Sequence, residues 1–211
     1  MNLLKSKKNI FKKIFCLIPF PFLFNFPLNA ELRIDFEDPD SMVETIFKEA
    51  NNTIGKRVGA KKVNWSWGDC GGSSYYSSFR NFICLRDELK NKKLALAFTT
   101  AHEYSHHIQK TIYGPLDRES MNILKIELQA DCFAGVILSS IPNFYITPDE
   151  AKKLLEIVHD EYGDSDYDHW NHHGSGHNRH LSLRSGLIFG SSKGAEKDHY
   201  YKVFCAGDVF K

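Results

Sequence analysis

The chain has 211 residues, with 27 Lys and Arg against 26 Asp and Glu and 42% hydrophobic side chains. It is long enough to bury a proper core as one domain, and no internal repeat or low-complexity linker divides it. The charge balance has no basic stripe, which argues against nucleic acid as a partner.

The first thirty residues differ from the rest. Lys5, Lys7, Lys8, Lys12 and Lys13 give a basic start without an acid, and an apolar, aromatic run follows from Ile14 to Phe26. Pro27-Leu28-Asn29-Ala30 is a plausible cleavage end, so residues 1–30 read as a secretory signal peptide. The apolar run is short and interrupted by Pro19 and Pro21, which argues against a membrane span; an uncleaved anchor is the alternative. Cleavage removes five lysines and no acid. It leaves one domain over 31–211 with 22 basic and 26 acidic side chains, net −4. The expected location is the periplasm or the extracellular space, with membrane association only if the N-terminal segment stays attached.

Four cysteines remain: Cys70, Cys84, Cys132 and Cys205. An even number in an exported chain reads as disulfides, with three pairings open. We expect Cys70–Cys84, which flank a predicted hairpin, and Cys132–Cys205, which would tie the C-terminus to a helix. Buried thiols are the alternative. No C-x-x-C spacing exists for a cysteine zinc site.

In chain order, Ser41-Met42-Val43-Glu44 has the form of a capping box and opens a helix to about Asn51. Residues 62–67 and 75–85 are aromatic and β-branched, and read as strands around a Gly-rich turn at Gly68, Gly71 and Gly72. A helix of about five turns follows from Leu94, stopped by Gly114-Pro115. A second runs over about 117–140. Thr147-Pro148-Asp149-Glu150 caps a third to about Glu161, and a last helix runs from near Gly176 to Phe189, ended by Gly190. The fold class is α+β.

The five-turn helix carries His102-Glu103-Tyr104-Ser105-His106, an H-E-x-x-H. Composition alone predicts roughly 0.03 such strings in the chain. Histidines four apart on a helix share a face, so one zinc ion could take both imidazoles. The glutamate between them could accept the proton of a zinc-activated water. His107 points about 100° away and reads as a packing residue. A third ligand must come from elsewhere. Glu127 and Asp131, also four apart, lie in an apolar helical context with Ile123, Leu124, Ala130, Ala134, Ile137 and Leu138. Buried acids need cations or donors. Glu127 as ligand and Asp131 as acceptor for a ligating ring N–H would satisfy both; a solvated acidic stripe is the alternative.

The segments H-E-Y-S-H-H-I-Q and E-L-Q-A-D-C-F-A-G resemble the putative neutral zinc metallopeptidase family of bacteria, whose pattern is HExxHHxQ … ELQADCxAG. Asp168 and His173-Gly174-Ser175 … Arg179 are similar to its third segment. Ser105 stands where the family usually has glycine. A tryptophan common after the arginine is absent, with Leu183 nearby. The resemblance covers roughly Val63 to Gly190. It implies a zincin-like fold in which the H-E-x-x-H helix packs on the E-x-x-x-D helix beside a small antiparallel sheet. It also implies one zinc ion held by His102, His106 and Glu127, and a strand along the cleft to pair with a peptide.

Asp164 to His180 admits three readings. A substrate-side loop would let His173 or Arg179 donate to the oxyanion of an attacked carbonyl. A second metal site at Asp164, Asp166 and Asp168 fails the calcium-loop pattern at His169 and Ser175. A polar loop would use Ser175 as a helix cap. Arg179 could also pair with an acid within the fold. The expected activity is that of an exported zinc endopeptidase, a monomer acting on peptides or proteins, with Glu103 as general base. A zinc-binding envelope module without turnover, and a metal-dependent amidase on a non-peptide substrate, are the alternatives.

Overall fold

The computed structural model describes residues 38–116, 122–141, 147–163, 173–191 and Cys205. The expected signal peptide and the Asp164, Asp166, Asp168 cluster lie outside the described residues.

Helices dominate, with one small sheet. Helix α1 spans Pro39–Ala50 and continues through a π-helical turn, Asn51–Gly55, into a final turn α2, Lys56–Val58. Its cap is Asp38, whose carboxylate accepts from Asp40 N and Ser41 N. The capping box expected at Ser41 is therefore displaced by an acid three residues earlier, followed by Pro39 at the favoured first position. Glu44, the expected partner in that box, instead accepts from Trp65 Nε1 at 2.7 Å.

The strands are β1 (Asn64–Gly68), β2 (Tyr75–Ser77) and β3 (Phe82–Arg86), ordered β1-β3-β2. β2 and β3 form an antiparallel hairpin, but β1 runs parallel to β3, with Trp65 opposite Ile83. The sheet is thus mixed and not antiparallel as expected. The stretch 75–85 is two strands, turned at Ser78–Asn81 with Asn81 at φ 50°. Ile83 and Leu85, fully buried, put β3 in the centre. Cys70 does pair with Cys84, and the bridge ties the Gly-rich turn to this central strand rather than flanking a β1–β3 hairpin.

Helix α3 (Lys93–Tyr113) is capped by Gly114, as its sequence requires. Helix α4 (Ile123–Ser140) starts later than expected, because Asn122 accepts from Lys125 N and caps it. Helix α5 (Pro148–Glu161) has the full capping box of Thr147 and Glu150. Helix α6 (Gly176–Ser191) opens with Ser175 Oγ accepting from Asn178 N.

Gly190 does not end α6. A Cβ there would collide with Ser139 Oγ, and one at Gly186 with the Cys132 carbonyl. These glycines let α6 lie backbone-close on α4. The core is built from α1 (Val43, Ile46), α3 (Leu96, Phe98, Ala101, Ile108) and α4 (Phe133, Ile137, Leu138). Each large side chain buried there contributes about 1.5–3 kcal/mol. Cys132 pairs with Cys205, so both expected disulfides form. Two such bridges point to an oxidising compartment. No described helix is long and apolar enough to cross a membrane.

Candidate metal centre

Helix α3 is buried nearly all round from Ala95 to Ser105, so its polar side chains can face only each other or a cleft. His102 and His106 lie one turn apart, and their Nε2 atoms come within 3.1 Å. Glu127, from α4, puts Oε2 3.3 Å from His102 Nε2 and Oε1 3.6 Å from His106 Nε2. Donor atoms of all three lie within 4.8 Å of one another.

The outer nitrogens settle which lone pairs point inward. His102 Nδ1 meets Asp131 Oδ1 at 2.9 Å, and His106 Nδ1 meets Gln109 Oε1 at 2.8 Å. Both acceptors require the ring to donate Nδ1–H. Neutral imidazoles in that tautomer carry bare lone pairs on Nε2. Without a cation, a proton on His102 Nε2 shared with Glu127 relieves the repulsion between these lone pairs and the carboxylate, and a metal ion would take that proton's place. With bonds of about 2.0–2.1 Å, donors around a tetrahedral ion stand roughly 3.3–3.4 Å apart. The distances seen bracket that value, so these residues fit a metal ion.

The field agrees. Burial works against charge on His102, but hydrogen bonds to Asp131 and Glu127 outweigh it and push its pKa up to about 10. Burial likewise opposes ionisation of Glu127, but the His106 ring beside it and hydrogen bonds from His102 and His173 hold its carboxyl well below the usual range. Among the described residues, Glu103, Glu127 and Asp131 are buried with one buried guanidinium, Arg179. Three acids against one guanidinium favour a divalent cation at this point.

Asp131 is fully buried and held by Arg179, whose Nε and NH2 donate to its two oxygens at 2.9 and 2.8 Å. Arg179 NH1 donates to Tyr162 O at 2.9 Å. Arg179 thus makes the acid pairing left open in the sequence, and Asp131 the contact to a histidine ring nitrogen. His173 Nδ1 lies 3.3 Å from Glu127 Oε2. His107 faces away from the centre: its Nε2 donates to Lys61 O at 2.7 Å and its Nδ1 accepts from Tyr76 at 3.2 Å. Burial pulls its pKa down, so this ring is neutral.

A cleft of about 530 Å³ opens onto the centre. Glu103 lines it with His102, His106 and Glu127. No hydrogen-bond partner for the Glu103 carboxylate is found among the described residues, which leaves it available to a molecule in the cleft. One wall is Ser74, Tyr75 and Tyr76 at the outer strand β2. The other includes Phe98, Thr99, Glu161 and Tyr162, where Thr99 Oγ1 and the Tyr162 hydroxyl share a 2.7 Å hydrogen bond.

Gln109 has a role that the sequence motifs do not assign to it. It orients His106 and donates through Nε2 to Ile126 O and Gln129 Oε1, tying α3 to α4. Its position three residues after His106 is the signal that could have found it. Tyr162 carries no such signal, because it reaches the cleft only where the end of α5 packs on Phe98 and Thr99 of α3 and on Arg179 of α6.

No family model matches the chain, and no curated protein or solved structure is detectably similar to it. The family likeness therefore rests on the motif residues themselves.

Proposed function

We propose that this chain is an exported zinc-dependent endopeptidase. One observation carries the reading: two imidazoles and a carboxylate turn their donor atoms toward a common point, beside a cleft lined by Glu103, which has no hydrogen-bond partner among the described residues. His102, His106 and Glu127 would hold the ion. Two histidines and one carboxylate are a donor set of catalytic zinc sites, whereas structural sites are usually cysteine-rich and closed. When bound, zinc polarises a carbonyl and lowers the pKa of water toward about 7.

The chain's own residues supply the remaining functions. Glu103 accepts the proton of the attacking water and returns it to the leaving amine. Asp131 and Gln109 keep both rings in the tautomer that presents Nε2. The outer edge of β2 offers backbone groups with which an extended peptide can pair. The substrate class is peptide or protein, and the acting species a monomer.

The test is a mixed peptide library digested with and without a chelator, using the parent and Glu103→Gln. The expected result is cleavage that stops with chelator and returns with zinc. Glu103→Gln should retain its zinc and lose roughly 10²–10⁴-fold in kcat/KM. An inert parent, or full activity in Glu103→Gln, contradicts the proposal.

A further inference from the structure

His173 lies on the cleft wall, three residues before α6. A carboxylate only accepts hydrogen bonds, so at 3.3 Å from Glu127 Oε2 its Nδ1 is the donor. That oxygen is the one facing His102 Nε2, while Oε1 faces His106. A donor on Oε2 therefore sets the rotation of the carboxylate between the two imidazoles. His173 is not one of the groups whose donor atoms gather within 4.8 Å. It reaches the Glu127 carboxylate and not the point on which the three donors converge.

The backbone is shaped to bring it there. Gly174 adopts φ +109°, a conformation that L side chains rarely adopt. A Cβ at Gly174 would press on Leu124 Cδ1 at 3.0 Å and sit 3.5 Å from Leu128 Cδ2. Those leucines bracket Glu127 on α4, so the segment is laid directly against the turn that carries the carboxylate. Ser175 then caps α6, and Arg179, one turn on, grips Asp131. Two side chains of one segment thus hold two carboxylates spaced one turn apart on α4.

We propose that His173 is a positioning residue for Glu127, fixing the carboxylate in the orientation that the cation requires, and not a donor to the carbonyl oxygen of a substrate. This rests on the metal reading above, and the test separates the two. Zinc affinity is measured on the purified chain by competition with a chelating dye, for the parent, His173→Ala, His173→Asn and, as a control, His102→Ala. An asparagine amide places an N–H close to where the imidazole has Nδ1–H.

Removing a group that orients a metal ligand typically costs 10–100-fold in affinity, and His173→Ala should lose that much. His173→Asn should recover most of it, and saturating zinc should restore kcat to His173→Ala. Gly174→Ala, which keeps the imidazole but shifts it, should lose affinity in the same direction. Unchanged zinc affinity in His173→Ala, with a fall in kcat that saturating zinc does not restore, is the result expected of an oxyanion donor and overturns the proposal. A parent that binds no zinc, or a His102→Ala variant that binds it equally well, overturns the metal reading and this inference with it.

Discussion

Arg179→Met replaces a buried guanidinium by an apolar side chain of similar length, so packing is largely kept and charge is removed. In the parent, Arg179 makes two hydrogen bonds to Asp131 and one to Tyr162 O, and is 4% exposed. Asp131 is 0% exposed and would be left with His102 alone. Breaking a buried ion pair from one side costs about 3–5 kcal/mol. That is a large part of the roughly 5–15 kcal/mol that a domain has, and corresponds to a fall in Tm of about 6–20 °C. The assay is denaturant unfolding in chelator, so that loss of a cation at low pH does not enter. Burial pushes the Asp131 carboxyl up, but Arg179 and His102 outweigh it and hold it low. The stabilisation is therefore complete above the unfolded carboxylate value of about 4 and fades as pH falls through the lower folded value. In Arg179→Met less opposes burial and the carboxyl rises. The gap between parent and variant should then narrow below about pH 4. A loss under about 1 kcal/mol at pH 7, or a gap that stays constant down to pH 3, would refute the reasoning.

Three further outcomes are expected. Gln109→Leu frees the His106 ring and should weaken zinc binding about 10-fold or more in dye competition, and a variant with parental affinity would remove the orienting role of Gln109. Cys84→Ser opens the 14-residue separation to Cys70 and should cost about 2–4 kcal/mol in denaturant unfolding, and reducing agent should cost the parent at least as much, because it also opens Cys132–Cys205. Gly186→Val forces α6 off α4 and should destabilise the domain by about 1–3 kcal/mol or more, whereas parental stability would contradict the backbone-close packing.

The helices were legible where local chemistry decides them. Gly114 ends α3, and Thr147 with Pro148 and Glu150 begins α5, because caps depend on neighbouring residues alone. The face shared by His102 and His106 and the spacing of Glu127 and Asp131 follow from helical periodicity, so their convergence could be anticipated from two short strings. The sheet could not be read in this way. β1 and β3 are five residues each, and nothing within them says that they run parallel, with Asn64 opposite Phe82 and Gly68 opposite Arg86; that pairing joins segments far apart in sequence and is set by tertiary packing. Gly190 looked like a helix end because glycine favours that position, whereas here the close approach of α4 requires it. The partner of Arg179 lies 48 residues away on α4, a distance across which pattern is silent and packing speaks. Asp38 caps α1 although Ser41 carries the more familiar capping-box pattern, because the pattern does not say which of two nearby acceptors the first turn uses.

The central claim is that His102, His106 and Glu127 hold one zinc ion with a position left open to the cleft. Anomalous diffraction at the zinc edge, from crystals of the chain grown with the ion, tests it most directly. The account predicts one peak with His102 Nε2, His106 Nε2 and a Glu127 oxygen at about 2.0–2.2 Å, and no fourth protein ligand. A peak elsewhere, or no peak between these three side chains, would contradict it.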